Sequence, residues 1–305
     1  MSGSNIPSPL PKPLDRRALV LVLLTVALWG GNPVATRYAV ESLPPITVSG
    51  LRFLMATGVM LVWCRLERTS FRVTRRQWGP IVIAGTLLFL QITAFTVGTA
   101  LTSSSNTSLY VNTFVFWVVG LEHFVTRADR LNSTRWTGLF VAAAGVVLLL
   151  AQTAAFRTEQ RDLPSLGGDA VLLFSAFLLG LKFIYTKHAL KVIGPTELIF
   201  WHDIVAVAQF AVAAALLEQP DFARITPSAA AGLAYQGLLV GGVCFALQAH
   251  LLKKHSASQI AVFSFATPLV GVLLGALFRG DRLSPGLLIA GAAVAVGIYL
   301  VNRTD

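Results

Sequence analysis

Charge is what this sequence of 305 residues has least of. Asp, Glu, Lys and Arg make up 12% of it, against the roughly 25% that clothes a soluble domain. Apolar side chains reach 55% and the mean hydropathy is +0.70, so most of the surface must face something other than water. Cysteine is scarce as well. Cys64 and Cys244 both stand in apolar stretches, so neither a disulfide framework nor a C-x-x-C zinc site can be read, and the pair is read as small apolar fillers. No H-E-x-x-H, G-x-S-x-G, Walker motif or pair of intramembrane aspartates occurs. Zinc hydrolysis, serine-nucleophile chemistry and direct drive by ATP therefore lack their residues, and no cofactor or metal is expected. The formal charge of +10 comes from short basic clusters between apolar runs, the pattern of loops at a membrane face. The partners this implies are the lipid bilayer and a small-molecule substrate, not nucleic acid.

What the sequence does have is long apolar runs. A helix that crosses a bilayer needs about 20 of them in succession. Ten such runs can be marked, at 18–40, 46–65, 78–98, 104–125, 134–152, 168–190, 197–217, 228–253, 258–278 and 285–301. Most connections between them are too short for a soluble domain. The expected fold is all-α and integral to the membrane. Residues 1–17, polar and rich in proline, are expected as a disordered cytoplasmic tail; the apolar run after them is too long for a cleavable signal. Basic residues give the orientation. If the N-terminus is cytoplasmic, sixteen Lys and Arg fall inside, in the tail, in the even-numbered loops and at Arg303. Arg157, Arg161, Arg224, Arg279 and Arg282 fall outside. Both termini are therefore expected in the cytoplasm, with the chain in the inner membrane.

The chain also repeats itself. At an offset of 152, Ala128-Asp129-Arg130-Leu131 falls on Gly280-Asp281-Arg282-Leu283, and Ala143 and Gly145 fall on Ala295 and Gly297. At an offset of 150, Gly30 meets Gly180, Ala39 meets Ala189, Pro45 meets Pro195 and Arg52 meets His202. The halves are 18–152 and 168–303, with five spans each. An odd number of spans per half makes consecutive halves opposite in topology, the inverted-repeat build of secondary transporters with a site between the halves.

These residues resemble the drug/metabolite transporter superfamily, and within it the EamA-type ten-helix proteins, over nearly the whole chain. The best segment is Thr267-Pro268-Leu269-Val270 through Arg279-Gly280-Asp281-Arg282-Leu283-Ser284 and on to 290–300, which resembles the family signature sP…llgErls…GaaLilaG. Trp29-Gly30-Gly31-Asn32 and Arg52-Phe53 match family positions as well. The chain departs from the pattern in carrying Asp at 129 and 281 where Glu is usual, and Phe116 where the first half would carry the signature proline. Within the superfamily it is similar to YddG-type exporters of aromatic amino acids. The resemblance implies transport by alternating access around a site on helices 1, 3, 4, 6, 8 and 9, with helices 5 and 10 at the periphery.

Polar residues inside the spans mark candidate positions for that site, because they usually face the bundle interior. Asn106, Tyr110, Thr113 and Trp117 share one face of helix 4, and Thr25, Trp29, Asn32 and Thr36 repeat that spacing on helix 1. Gln91 and Phe95 on helix 3, Lys182 and Tyr185 on helix 6, Gln248 on helix 8, and Ser264 and Thr267 on helix 9 complete the set. Such groups suit a cavity that holds an amino acid's ends by hydrogen bonds and its ring by stacking; the same residues serve equally as interhelical packing. Pro33 and Pro268 sit within spans, where proline removes a helix hydrogen bond; they are read as hinges, with static kinks as the rival.

Ionisable residues in the spans are few. Lys182 is expected to meet a substrate carboxylate or to pair with Asp203, and Glu122 and His123 are expected at the headgroup level. No acid is read at a span centre, so facilitated diffusion or exchange stands beside proton coupling. The leading expectation is export of amino acids, aromatic or apolar, or of related metabolites, by a protein that is not an enzyme. A sugar-phosphate, nucleotide-sugar or drug carrier of the same superfamily is one alternative, an integral membrane lipid-modifying enzyme another, and a passive channel a third. A monomer is expected, with a homodimer left open.

Overall fold

The computed structural model describes residues 14–102, 104–155, 166–279 and 286–303, with the backbone alone at 104, 105, 152–155 and 274–279. Among the described residues every regular element is helical. Helix α1 runs Arg16–Ser42 with a break at Gly31, followed by α2 (Pro45–Leu66) and α3 (Arg75–Leu101). Helix α4 is built from Ser104–Asn112, Phe114–Gly120 and a π-helical turn, Leu121–Thr126. Then come α5 (Ser133–Ala155), α6 (Leu166–Ala189), α7 (Pro195–Leu217) and α8 (Pro227–Lys254). Helix α9 comprises Ala257–Ala261, a 3-10 stretch Val262–Ala266, and Thr267–Arg279; α10 is Gly286–Asn302. The first eight contain spans long and apolar enough to cross a membrane; Ala257–Leu273 and Gly286–Asn302 are shorter apolar helices. The tail to residue 13, Arg157, Arg161 and the segment with Asp281, Arg282 and Leu283 lie outside the described residues.

The helix starts obey local chemistry. Asp15 accepts from the Ala18 amide at 2.7 Å, and Thr226 accepts from Ala229 at 3.2 Å. Thr74 with Gln77 and Ser256 with Gln259 form capping boxes, which satisfy amides that the helix itself leaves without partners. Pro45, Pro195 and Pro227 stand in first turns, where a missing N–H costs nothing.

Between helices, small residues let backbones approach. The bundle brings α2 onto α7, α3 onto α6 and α7, α8 onto α2, and α5 onto α10. The contacts exchange between the halves as a two-fold relation demands. A Cβ on Gly85 would lie 2.7 Å from Val205 and 2.9 Å from the His202 carbonyl; one on Gly237 would lie 2.6 Å from Met55 and 2.9 Å from the Arg52 carbonyl. Gly85 and Gly237 are 152 residues apart, and His202–Val205 follows Arg52–Met55 by 150. The helix ends repeat this. Glu67, closing α2, accepts from Thr196 Oγ1 at 2.6 Å near the start of α7. Glu218, closing α7, accepts from the Ile46 and Thr47 amides at 2.8 and 2.7 Å near the start of α2. Arg37 donates to the carbonyl of Thr102, and Lys187, 150 residues on, donates to that of His255.

Two expectations change in detail. Helix 1 breaks at Gly31, ahead of Pro33, which sits in the first turn of the second segment. Just before the break, the Leu28 carbonyl accepts from the Tyr235 hydroxyl of α8. Ahead of Pro268, the chain tightens into the 3-10 stretch.

Glu122 departs further from expectation. It is wholly buried against the start of α9, and accepts from the Ala257 amide at 3.0 Å and from the Ser258 amide and hydroxyl at 2.6 and 2.7 Å. Lys187 Nζ stands 3.5 Å away. An acid at the positive end of α9 gains from the helix dipole as well as from the hydrogen bonds.

Asp129 lies in the loop after α4. Burial works against its charged form, but the Arg135 guanidinium, bonded to both its oxygens at 2.7 and 2.8 Å, outweighs this and holds its carboxyl below the ordinary range. A carboxyl whose value is lowered by folding contributes stability above its unfolded value of about 3.9, and loses that contribution as pH falls through the folded value. Asp129→Asn is expected to cost on the order of 1–3 kcal/mol at pH 7. In thermal unfolding of the detergent-solubilised protein, the gap to wild type should close as pH drops below about 4. A gap of equal size at acid pH would show that the ion pair is not its source.

Candidate functional site

A cavity opens in the bundle, with about 600 Å³ of space when the open solvent at its mouth is included. Helix α1 supplies Trp29, Asn32 and Pro33; α3 supplies Gln91, Ile92 and Phe95; α4 supplies Ser108, Val111, Asn112 and Phe114. Arg52 of α2, Leu179 of α6, Val240 and Phe245 of α8, and Ser264 and Thr267 of α9 complete the wall. Its floor of rings includes Trp29 and Phe245, with centroids 5.9 Å apart.

Buried polar atoms nearly always find partners in folded proteins. Several on residues of the cavity wall have none: Asn32 Oδ1, Gln91 Oε1, Thr267 Oγ1 and Arg52 Nε. Trp29 Nε1, beside the Cys244 thiol, makes no hydrogen bond of normal geometry. Gln91 is oriented from behind, donating through Nε2 to Ser175 Oγ at 3.2 Å, which turns its oxygen away from that bond. The wall thus offers donors and acceptors set among aromatic rings, and this pattern can grip a small polar molecule at both ends and stack its apolar part.

Behind the wall lies a knot of buried charge. Arg52, Lys182, His202 and Asp203 are each at most 2% exposed. Arg52 Nη1 is 3.4 Å from Gln236 Oε1, which also accepts from Thr36 at 2.9 Å. Lys182 Nζ rests 3.9 Å above the Phe245 ring, a cation–π contact. His202 Nδ1 is 2.6 Å from the Ile199 carbonyl and 3.3 Å from Asp203 Oδ1.

Comparison with known proteins decides the family. The profile of the EamA-like transporter family matches residues 16–151 and again 166–303. The chain belongs to the EamA-like transporter family. A probable amino-acid metabolite efflux pump of Salmonella typhimurium is 23% identical, covering 94% of this chain and 95% of that protein. An uncharacterized transporter of Bacillus subtilis, YoaV, is 20% identical over 94% and 97% of the two chains. An S-adenosylmethionine/S-adenosylhomocysteine transporter of Chlamydia trachomatis is 22% identical over 96% and 91%. A solved crystal structure at 18% identity shares the fold with a TM-score of 0.78, covering 93% of this chain and 98% of that one. This EamA-like protein is accordingly a multi-pass membrane protein of the drug/metabolite transporter superfamily, whose relatives are transporters rather than enzymes.

The cavity of the EamA-like fold gathers some sequence candidates and leaves others out. Trp29, Asn32, Gln91, Phe95, Ser264, Thr267 and Pro33 line it. The helix 4 stripe turns elsewhere. Asn106 donates to Asp169 of α6 at 3.3 Å, and Tyr110 bonds the same carboxylate. Trp117 is 44% exposed and its ring lies 5.0 Å from that of Phe177. Thr113 interrupts the helix and donates to the Tyr110 carbonyl. The reason is Gly180: with no side chain there, α6 comes close enough that a Cβ would lie 2.6 Å from Trp117 Cβ, so the stripe packs on α6. The adjacent Ser108 and Asn112, also four apart, turn inward instead. Tyr185 stacks near His188, Gln248 is half-buried outside the wall, and Pro268 is buried outside it. Lys182 stands behind Phe245. Of the six helices expected to build the site, all contribute to the wall, and α2 adds Arg52. Helices α5 and α10 contribute no residue to it.

Proposed function

We propose that this EamA-like protein is a secondary transporter that exports amino acids, aromatic or apolar, or related amino-acid metabolites, across the inner membrane by alternating access. Ten helices cross the bilayer as two inverted halves of five, both termini lie in the cytoplasm, and a monomer is the working unit. The observation that carries the reading is the set of unpartnered buried groups on residues that line one cavity. Asn32 Oδ1, Gln91 Oε1 and Thr267 Oγ1 suit an ammonium group, Trp29 Nε1 is a donor for the cargo's acid end, and the rings of Trp29, Phe95 and Phe245 suit an apolar side chain. The names of the relatives support it: an amino-acid metabolite pump and a carrier of S-adenosylmethionine both handle amino-acid chemistry.

The test is flux in proteoliposomes. Entry of labelled L-phenylalanine or L-leucine should saturate and be stimulated by unlabelled amino acid inside. Trp29→Ala and Gln91→Ala should each lower kcat/KM by about tenfold or more, the worth of one buried hydrogen bond or ring contact, in protein that still unfolds cooperatively. Flux that never saturates would mean a channel, and flux indifferent to both substitutions would mean that the cargo passes elsewhere.

A further inference from the structure

Buried charges in a membrane protein are costly unless each meets a partner. Arg52 on α2, Lys182 on α6 and Asp203 on α7 are buried together, and with His202 counted as uncharged they sum formally to one positive charge. Their bonding is incomplete, although Arg52 Nη1 donates to Gln236 Oε1 at 3.4 Å. Arg52 Nε, Lys182 Nζ and both carboxylate oxygens of Asp203 have no hydrogen-bond partner. Asp203 acts on Arg52 and on Lys182 through space only. The other polar groups around them, Gln236 and Cys244 of α8 and His202 of α7, are neutral. Of the three charges, Arg52 alone forms part of the cavity wall. The cavity wall therefore includes a cation, Arg52, while the acid that acts on it, Asp203, is not a residue of the wall.

We propose that Arg52 is the cargo's carboxylate-binding residue, and that Asp203 is the resident counter-ion from which the cargo's carboxylate takes Arg52 over. While the cavity is empty, Asp203 balances Arg52. When a carboxylate enters, Arg52 turns its donors to it, and Lys182, held over the Phe245 ring, becomes the cation that balances Asp203. One carboxylate brings the cluster to zero; a phosphate dianion would overshoot, which sets the cargo apart from sugar phosphates. The inference rests on the transporter reading and adds that a single negative charge on the cargo is obligatory. Asp203 and Lys182 touch no cargo and act as positioning residues.

The test uses the full chain purified in detergent and follows thermal stabilisation by four probes. L-Phenylalanine and 3-phenylpropionate carry the carboxylate; L-phenylalaninamide and phenethylamine lack it. Wild type should be stabilised by the two acids at concentrations about tenfold or more below those needed for the two others. Arg52→Gln should erase the difference, and Arg52→Lys should keep part of it. Asp203→Asn should tighten acid binding several-fold and slow exchange in liposomes, a split that mere loss of packing would not give. Should Arg52→Gln fail to fold, Arg52→Lys and Asp203→Asn carry the same comparison. Equal response to acid and amide, survival of the preference in Arg52→Gln, or no response to any carboxylate overturns the proposal. Saturable flux of the amide or amine would overturn it while leaving the transporter reading intact. Acid binding without flux of any probe would uphold the subsite and overturn the transporter reading.

Discussion

Glu122→Ala is expected to destabilise the protein by about 3–5 kcal/mol, the cost of removing one partner of a buried, bonded charge. The carboxylate holds the first turn of α9, accepting from two amides and a hydroxyl, and it faces Lys187 across 3.5 Å. Alanine strands all of these donors in the interior at once. Glu122→Gln keeps an acceptor oxygen but loses the charge, so its loss should be smaller. Glu41 offers the contrast: it pairs with Arg37 at 3.2 Å but is 55% exposed, and Glu41→Ala should cost about 1 kcal/mol or less. Unfolding temperature in detergent reads the series, and amide exchange at Ala257 and Ser258 localises it. A Glu122→Ala protein as stable as wild type would mean that α9 starts without this cap.

Gly297→Leu should be as severe, for a steric reason. A Cβ there would stand 2.5 Å from the Gly138 carbonyl oxygen and 2.6 Å from both the Cβ and the amide of Ala142. These are backbone or near-backbone atoms of α5, so no rotamer relieves the clash and the two helices must separate. The loss is expected to reach about 3 kcal/mol or more. Gly291→Leu is the control on the same helix, because a Cβ there meets nothing within 4 Å. The α5–α10 pair adds nothing to the cavity wall, so whatever Gly297→Leu protein folds should transport with unaltered KM. If both leucines behave alike, close approach of α5 and α10 is not what the glycine serves.

Much of the fold was legible because each helix carries its own signal. Apolar length marked the spans. The doubled family match at 16–151 and 166–303 agrees with the sequence repeat. The site was legible only where one helix face decides it. Trp29 and Asn32, one turn apart, share the inner face of α1, and Gln91 and Phe95 do the same on α3. On α4 the same logic picks a face that does not line this cavity, because which stripe turns inward depends on Gly180 of another helix. The enclosure of Glu122 was missed for a related reason: an acid near a span end is ordinarily solvated, and its partners lie 135 and 136 residues away. Arg52 reads only as the repeat counterpart of His202, and Asp203 only as a partner for Lys182, until α2 and α7 are brought face to face.

The exchange of contacts between the halves also bears on energy. In the proposed rocking cycle, the outward-open and inward-open states would be assembled from matching bonds in swapped places. Their free energies can then differ only where the halves differ, and a carrier so made begins close to degenerate. Arg37 reaches the carbonyls of Thr99, Ala100 and Thr102 on one side, while Lys187 has the His255 carbonyl and Glu122 on the other. A mismatch of about 1.4 kcal/mol between such latches would set the resting ratio near tenfold, small enough for cargo binding to reverse. Which side the empty cavity faces is then a property of its latches, adjustable without touching a residue that meets the cargo.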